Sequence, residues 1–149
     1  MFPTRILIAD TPESVEICRP CLTGPFALVQ AGTLDEATHE LRGRIDMVVC
    51  GVHFDEGRMY DLLRHLKRSP RLERLPFVAV RCLEGELEFD GALRESVKIA
   101  VKALGGNAFV DLLRWQREYG AHEAGRRFTE LLQQLTVKNG PDAVREPTG

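Results

Sequence analysis

The sequence predicts a doubly wound α/β fold, in which helices cover both faces of a five-stranded parallel sheet of order 2-1-3-4-5 and an extended C-terminal helix follows. Three observations predict this fold. Short apolar stretches alternate five times with segments of helical periodicity. The stretches are almost continuously apolar, which is typical of strands buried on both sides of a parallel sheet. The 149 residues suit one domain with its own core.

The first two strands are RILIA and FALVQA. Pro12 suits the first turn of the helix between them, and Pro20 lacks the N–H group that a helix interior needs, so this helix is expected to be short or kinked. The next helix begins with TLDE, which fits a capping box in which Thr33 and Glu36 satisfy each other's backbone N–H groups. Gly43 is a plausible end for that second helix.

The third and fourth strands are IDMVVC and PFVAV, and the leucines between them recur at helical spacing. A further helix at residues 93–104 ends at the two glycines of ALGGN, and AFV is a short fifth strand. Residues 112–135 are again helical in pattern. Gly120 and Gly125 are each on the order of 1 kcal/mol less favourable in a helix than alanine, so this part forms one weakened helix or two.

Five parallel strands with right-handed crossovers favour the flavodoxin-like strand order. This order brings functional groups to the carboxyl ends of the first, third and fourth strands. Residues 1–137 are expected to form the single domain. Residues 138–149 have little to bury and are expected to be a flexible tail.

The composition argues against several function classes. The formal net charge is -2, so the chain has no basic excess that would favour nucleic acid as a partner. No apolar run reaches the roughly 18 residues that span a bilayer, and the N-terminal residues lead directly into a strand, so we expect a cytoplasmic protein without membrane contact. The four cysteines are then expected to be reduced thiols.

Residues 5–115 resemble, in the order and spacing of their segments, the receiver domain of bacterial response regulators. The local matches are ALGGNAFV, before and within the last strand, and RILIAD and IDMVVCG, in the first and third strands. Receivers accept a phosphoryl group from a histidine kinase in two-component signalling and phosphorelays. The resemblance implies a signalling role for this chain.

The family's chemistry requires five positions. Two acidic residues after the first strand and an acceptor aspartate after the third hold a divalent cation, while a hydroxyl and a lysine after the last two strands contact the phosphoryl oxygens. In this chain the five positions hold Asp10, Thr11, Gly51, Arg81 and Leu112. Four of the five lack the family's group, so the resemblance implies a degenerate receiver, or pseudo-receiver, that is not an enzyme and needs no metal or cofactor.

Two other aspartates and one arginine are candidates for replacing the lost chemistry. Asp46 opens the third strand at the wrong edge of the sheet, and Asp55 lies four residues beyond the acceptor position. Arg81 carries a permanent charge that can reach Asp10 or Asp55 and stand in for the cation, which would hold the pocket in one state. The alternative is that Arg81 extends into solvent.

Cysteine and histidine spacing gives two further candidates. Cys18 and Cys21 have the spacing of a redox dithiol or half a zinc site, but Cys18 lies too far into its helix for the helix dipole to lower its thiol pKa, which favours structural thiols. Cys50, His53 and Cys82 follow neighbouring strands. They therefore form a possible small metal site, although cysteines are also common core residues.

The C-terminal helical region carries an apolar stripe longer than a receiver's last helix usually needs. The stripe either folds back on its own domain or forms a homodimer or docking surface for another signalling protein, and we favour the second reading. The expected interface residues are Trp115, Tyr119, Phe128, Leu131, Leu132 and Leu135.

Two functions are therefore compatible with the sequence. The first is a degenerate receiver that works by protein contact without aspartyl phosphorylation. The second is a small-ligand binder or enzyme that uses the carboxyl edge of the sheet around Asp10, Cys50, His53 and Arg81. The fold alone does not choose between them.

Overall fold

A computed structural model describes residues 3–84 and 91–138 of the chain. Strands and helices alternate as the periodicity predicts. The strands are β1 Thr4–Ala9, β2 Phe26–Ala31, β3 Met47–Gly51, β4 Phe77–Arg81 and β5 Ala108–Asp111. The helices are α1 Pro12–Cys18, α2 Leu34–Glu40, α3 Met59–Arg68, α4 Gly91–Ala103, α5 Leu112–Tyr119 and α6 Ala121–Lys138. Short 3-10 turns follow α1 at Arg19–Cys21 and β3 at Phe54–Glu56.

The five strands form one parallel sheet in the order β2-β1-β3-β4-β5, which confirms the predicted topology. The register pairs Ala9 with Cys50, then Gly51 with Val80. The ends of β1, β3 and β4 therefore lie side by side at the carboxyl edge of the sheet.

Two apolar clusters cover the two faces of the sheet, because successive strand residues point to opposite sides. Leu7, Val48 and Ala79 belong to the cluster that packs against α2, α3 and α4. Their neighbours Ile8 and Val49 belong to the cluster that packs against α1 and α6. Burial on both faces explains why the strands are almost continuously apolar.

The helix starts follow the expected chemistry, with one correction. Thr11 caps α1, since its Oγ1 accepts a hydrogen bond from the Ser14 N–H group at 3.2 Å. Thr33 likewise caps α2 by accepting from the Glu36 N–H group at 3.1 Å. The Glu36 carboxylate, however, accepts from the Gly32 N–H group at 2.9 Å, so the reciprocal half of the predicted capping box is displaced by one residue.

The C-terminal region forms two helices. Gly120, with a φ of 84°, separates the end of α5 from the start of α6. α6 lies against the 3-10 turn after α1, and a Cβ atom at Gly125 would be 3.2 Å from the Cα atom of Cys21. Thr129 fastens this contact, because its hydroxyl donates to the Cys21 carbonyl at 2.8 Å and accepts from the Thr23 N–H group at 3.2 Å. The last helix is therefore part of the domain.

The predicted partner stripe is corrected by this packing. Phe128 and Leu132 are fully buried in the cluster on the α1 side of the sheet, so the prediction that they form an interface is wrong. Trp115, Leu131 and Leu135 are partly buried against the same cluster. Helical spacing of apolar residues identifies the apolar face of a helix, but it does not predict whether the same domain or a partner protein packs against that face.

The domain boundary predicted at residue 137 lies one residue before the end of α6, which includes Lys138. The remainder of the predicted flexible tail lies outside the described residues. Among the helices of residues 3–84 and 91–138, none combines the length and the apolar character that crossing a membrane requires.

We expect the Phe128→Ala substitution to destabilise the protein by about 3–5 kcal/mol, because it empties a fully buried aromatic site. Urea unfolding followed by circular dichroism measures the free energy of unfolding. The matched control is Val137→Ala, since Val137 on the same helix is 75% exposed and its truncation should change little. Equal effects of the two substitutions would contradict the assignment of α6 to the core.

Candidate functional site

The candidate site lies at the carboxyl edge of the sheet, where Asp10 follows β1 and Gly51 ends β3. Asp10 is 3% exposed, and its Oδ1 accepts a hydrogen bond from the Thr11 N–H group at 2.8 Å. A Cβ atom built on Gly51 would lie 2.0 Å from both Cγ and Oδ2 of Asp10. The Asp10 carboxyl group therefore fills the space that any side chain at position 51 would need.

Burial changes the ionisation of Asp10. Desolvation raises the pKa of its carboxyl group from 3.8 to about 6, and the hydrogen bonds from Thr11 and Ser14 oppose this rise. Cys50 is fully buried next to Gly51, and its thiol pKa is raised well above the usual value, first by burial and then by the negative charge of Asp10. Burial at this edge therefore disfavours the charged forms of both the Asp10 carboxyl group and the Cys50 thiol.

The residues at this edge do not fit the divalent cation that the receiver resemblance implies. Hard cations such as Mg²⁺ need several oxygen ligands, and here Asp10 supplies the single carboxylate of the three family positions. Thr11 uses its hydroxyl oxygen to cap α1, and Gly51 has no side chain. No group of three or more histidine, cysteine or acidic residues capable of holding a metal occurs among the described residues.

Arg81 ends β4 and pairs with Asp111, so it neither pairs with Asp10 or Asp55 nor extends into solvent, the two possibilities that the sequence left open. Its Nη1 donates to both carboxylate oxygens of Asp111, at 3.1 and 3.2 Å, and both residues are buried. The reason is the register of β4 and β5, which places Arg81 directly beside Asp111. Arg94 of α4 donates to the same carboxylate at 3.0 Å, so the ion pair joins three elements.

The sequence analysis identified Arg81 as a site residue but did not identify its partner Asp111. Asp111 also caps α5, because its Oδ1 accepts a hydrogen bond from the Arg114 N–H group at 3.2 Å. A signal was present, since an aspartate directly after an apolar strand and before a helix is a typical N-cap. The next residue, Leu112, is fully buried in the cluster that contains Phe128. No cationic side chain can extend into the site from position 112.

The other two aspartates have structural roles. Asp55 adopts a left-handed conformation, with φ 42° and ψ 58°, and its Oδ2 accepts from the Leu34 N–H group at the start of α2, at 2.8 Å. Asp46 lies at the amino edge, where its Oδ2 accepts from the Arg5 N–H group at 2.9 Å. Neither carboxylate lies at the position of the family's acceptor.

The predicted cluster of Cys50, His53 and Cys82 is wrong, because the two cysteines lie on opposite faces of the sheet. The His53 Nε2 atom is buried and has no hydrogen-bond partner within the described part of the chain. The alternative ligand site around Asp10, Cys50, His53 and Arg81 loses support, since Cys50 is inside the core and Arg81 is engaged by Asp111.

Three of the four thiols belong to the cluster on the α1 side. Cys18 and Cys21 are buried free thiols, as the sequence indicates for structural cysteines. A hydrogen bond with Cys18 and burial raise the pKa of the Cys82 thiol well above its usual range. Gln116 donates to the Cys21 sulfur at 3.5 Å, which ties α5 to the turn after α1.

The chain is similar in structure to solved response regulator receiver domains. It matches the phosphorylated cyanobacterial phytochrome response regulator RcpA with a TM-score of 0.67 and 14% identity, covering 93% of this chain and 96% of the other. It matches the signal receiver domain of a signal transduction histidine kinase from Syntrophus aciditrophicus with a TM-score of 0.65 and 20% identity, covering 98% and 96%. For the chemotaxis response regulator CheY4 of Vibrio cholerae the TM-score is 0.63 at 12% identity, covering 91% and 99%.

At these identities the similarity shows a shared fold and not shared chemistry. Searches against protein-family models and against curated protein sequences found no match. The arrangement of Asp10, Gly51 and Arg81 therefore has to be interpreted from its own geometry.

We expect Gly51→Ala to destabilise the protein by about 1–3 kcal/mol, because the new methyl group displaces the Asp10 carboxyl group. In an Asp10→Ala background the same change should have little effect, and the difference is the coupling energy of a double-mutant cycle measured by urea unfolding. Gly43→Ala is the control, since a Cβ there meets nothing closer than 3.6 Å. Additive effects of the two substitutions would contradict the close approach.

The raised pKa of Asp10 predicts a defined pH dependence. Between pH 3.8 and about 6 the folded protein holds a proton that the unfolded chain has released, so the stability contributed by this group falls as pH rises through this interval. Asp10→Asn keeps the acceptor for Thr11 and removes the charge. We expect it to be more stable than the parent by up to about 3 kcal/mol above pH 6, with the gain shrinking towards pH 4.

Urea unfolding at several pH values measures this difference. The control is Asp61→Asn, which removes an exposed carboxylate whose ion pair with Arg64 is worth little. A constant difference between Asp10→Asn and the parent protein from pH 4 to pH 8 would contradict the interpretation.

Proposed function

We propose that this chain is a degenerate receiver that signals by protein contact and does not accept a phosphoryl group on an aspartate at the end of β3. The observation that carries the proposal is the close approach of Asp10 to Gly51. It supports a pocket in which the acceptor's place is filled by a different, buried carboxyl group.

The chemistry of phosphoryl transfer supports the same conclusion. Transfer to a carboxylate needs cationic groups around the phosphoryl oxygens, because negative charge is spread over them in the transition state. Here the arginine at the hydroxyl position is engaged by Asp111, and the lysine position is occupied by Leu112 in the core. Membership of a bacterial two-component pathway or phosphorelay, and a cytoplasmic location, are parts of this proposal.

The partner in this proposal is another signalling protein or a second copy of the chain. On the surface of α5 and α6, Tyr119 is 42% exposed and the guanidinium carbon of Arg127 lies 3.9 Å from the centre of its ring. Trp115, Leu131 and Leu135 are partly exposed around the buried stripe. The proposed contact surface therefore keeps the exposed or partly exposed residues of the interface predicted from the sequence and leaves out the buried Phe128 and Leu132.

We expect no covalent phosphorylation when the protein is incubated with acetyl phosphate and Mg²⁺ and its intact mass is measured. A receiver with a complete set of site residues, treated in parallel, shows that the reagent is active. A stable gain of one phosphoryl group would overturn the proposal. Asp10→Asn and Asp55→Asn variants would then identify the acceptor, because only one of them should lose the gain.

A further inference from the structure

Four exposed arginines lie at the amino edge of the sheet, opposite the candidate site. Arg42 follows α2, Arg68 ends α3, and Arg71 and Arg74 lie in the connection from α3 to β4. Because β3 and β4 are neighbours, the connections that lead into them lie next to each other. We call these four residues the basic edge.

A polar cleft of about 350 Å³ lies within this edge, between the ends of α2 and α3. Arg42 and Arg71 line it together with His65 and Ser69. The Arg71 guanidinium donates to the Leu41 carbonyl, which joins the two connections and orients this arginine. The cleft thus combines the permanent charges of two arginines with the further hydrogen-bonding groups of His65 and Ser69.

The basic edge carries more positive charge than the local structure uses. Neighbouring cations have partners: Arg64 pairs with Asp61, and Lys67 donates to the Glu73 carbonyl at 2.8 Å. Basic residues near a helix C-terminus also balance its partial charge, which is roughly half an elementary charge per helix. Lys67 and the four arginines carry five positive charges, against which stand the carboxylates of Glu40 and Glu73 and about one charge for the two helix ends, so an excess of about two positive charges remains.

Within residues 3–84 and 91–138, the guanidinium groups of Arg42, Arg68 and Arg74 have neither a hydrogen bond nor an ion pair; the bond of Arg42 to the His39 carbonyl is made by its backbone N–H group. Their guanidinium groups are exposed and solvated. Such groups remain able to pair with an anionic partner.

The chemistry of the edge selects the class of partner. Guanidinium groups bind carboxylates in bidentate geometry, and several arginines on adjoining connections suit several carboxylates on one chain segment. A nucleic acid fits less well, because the whole chain carries a net charge of -2. The exposed large apolar residues of the described chain, Ile99, Tyr119 and Val137, lie on other elements, so no exposed aromatic ring is available for base stacking at this edge.

We infer that the basic edge binds an acidic segment of a partner protein. This inference rests on the proposed function, because it names the chemistry of a partner for a protein that acts by contact. The surface is separate from the pocket at the carboxyl edge and from the exposed part of α5 and α6. Binding there leaves both of those surfaces accessible.

The test is a titration of the full chain with a fluorescein-labelled hexaglutamate peptide at low ionic strength, followed by fluorescence anisotropy. The test variant is Arg42→Gln/Arg68→Gln/Arg74→Gln, which leaves Arg71 and its bond to Leu41 in place. The control, Arg19→Gln/Arg58→Gln/Lys98→Gln, makes the same change in net charge at exposed positions elsewhere. Circular dichroism checks that both variants fold.

We expect the test variant to bind the peptide at least about tenfold more weakly than the parent protein, and the control variant to bind nearly as well as the parent. Absence of peptide binding, or equal weakening in both variants, would overturn the inference. Tighter binding of a labelled single-stranded oligonucleotide through the same arginines would replace the acidic protein with a nucleic acid. Self-association in light scattering that is lost in the test variant would replace it with a second copy of the chain.

The peptide titration and the phosphodonor experiment fail independently. The first measures charge recognition at the amino edge, and the second measures covalent chemistry at the carboxyl edge. A negative peptide result with no phosphorylation would leave contact-based signalling intact and remove only this surface.

Discussion

The contact between Asp10 and Gly51 is the constraint on which the carboxyl edge depends. The strands β1 and β3 are neighbours in the sheet, and their ends lie so close together that the Asp10 carboxyl group fills the space between them. With Asp10 directed inward, glycine is the residue that fits at position 51 without displacement. A carboxylate could be placed there only if Asp10 moved, so the two positions have to be considered as one unit.

The ion pair between Arg81 and Asp111 gives the same edge a second fixed element. Both residues are buried, so replacing Arg81 would remove one of the two cations that contact the Asp111 carboxylate, and replacing Asp111 would remove the carboxylate that both arginines contact. Arg94 extends the pair to α4, and Asp111 also caps α5. Two helices, α4 and α5, are thus both attached to the same buried ion pair.

The sequence predicts the sheet well because its signal is local: apolar runs, helix caps and glycines at helix ends are each contained in a few residues. The partner of Arg81 was missed because the register between β4 and β5 depends on the packing of the whole sheet. That Cys50 and Cys82 lie on opposite faces of the sheet was missed for a related reason. The alternation of side chains between the two faces predicts which face each cysteine occupies only when the alignment of the two strands with each other is known. Phe128 was placed on a surface because periodicity identifies an apolar face without identifying its neighbour.

The attachment of α6 to the turn after α1 has a consequence for the order of folding. Thr129 bonds to Cys21 and Thr23 across more than one hundred intervening residues, the separations being 108 and 106. Contacts so distant along the chain form late, after a large loop has been closed. During synthesis on the ribosome, the face of the sheet that packs against α1 and α6 therefore stays only partly covered, by α1, until α6 has emerged.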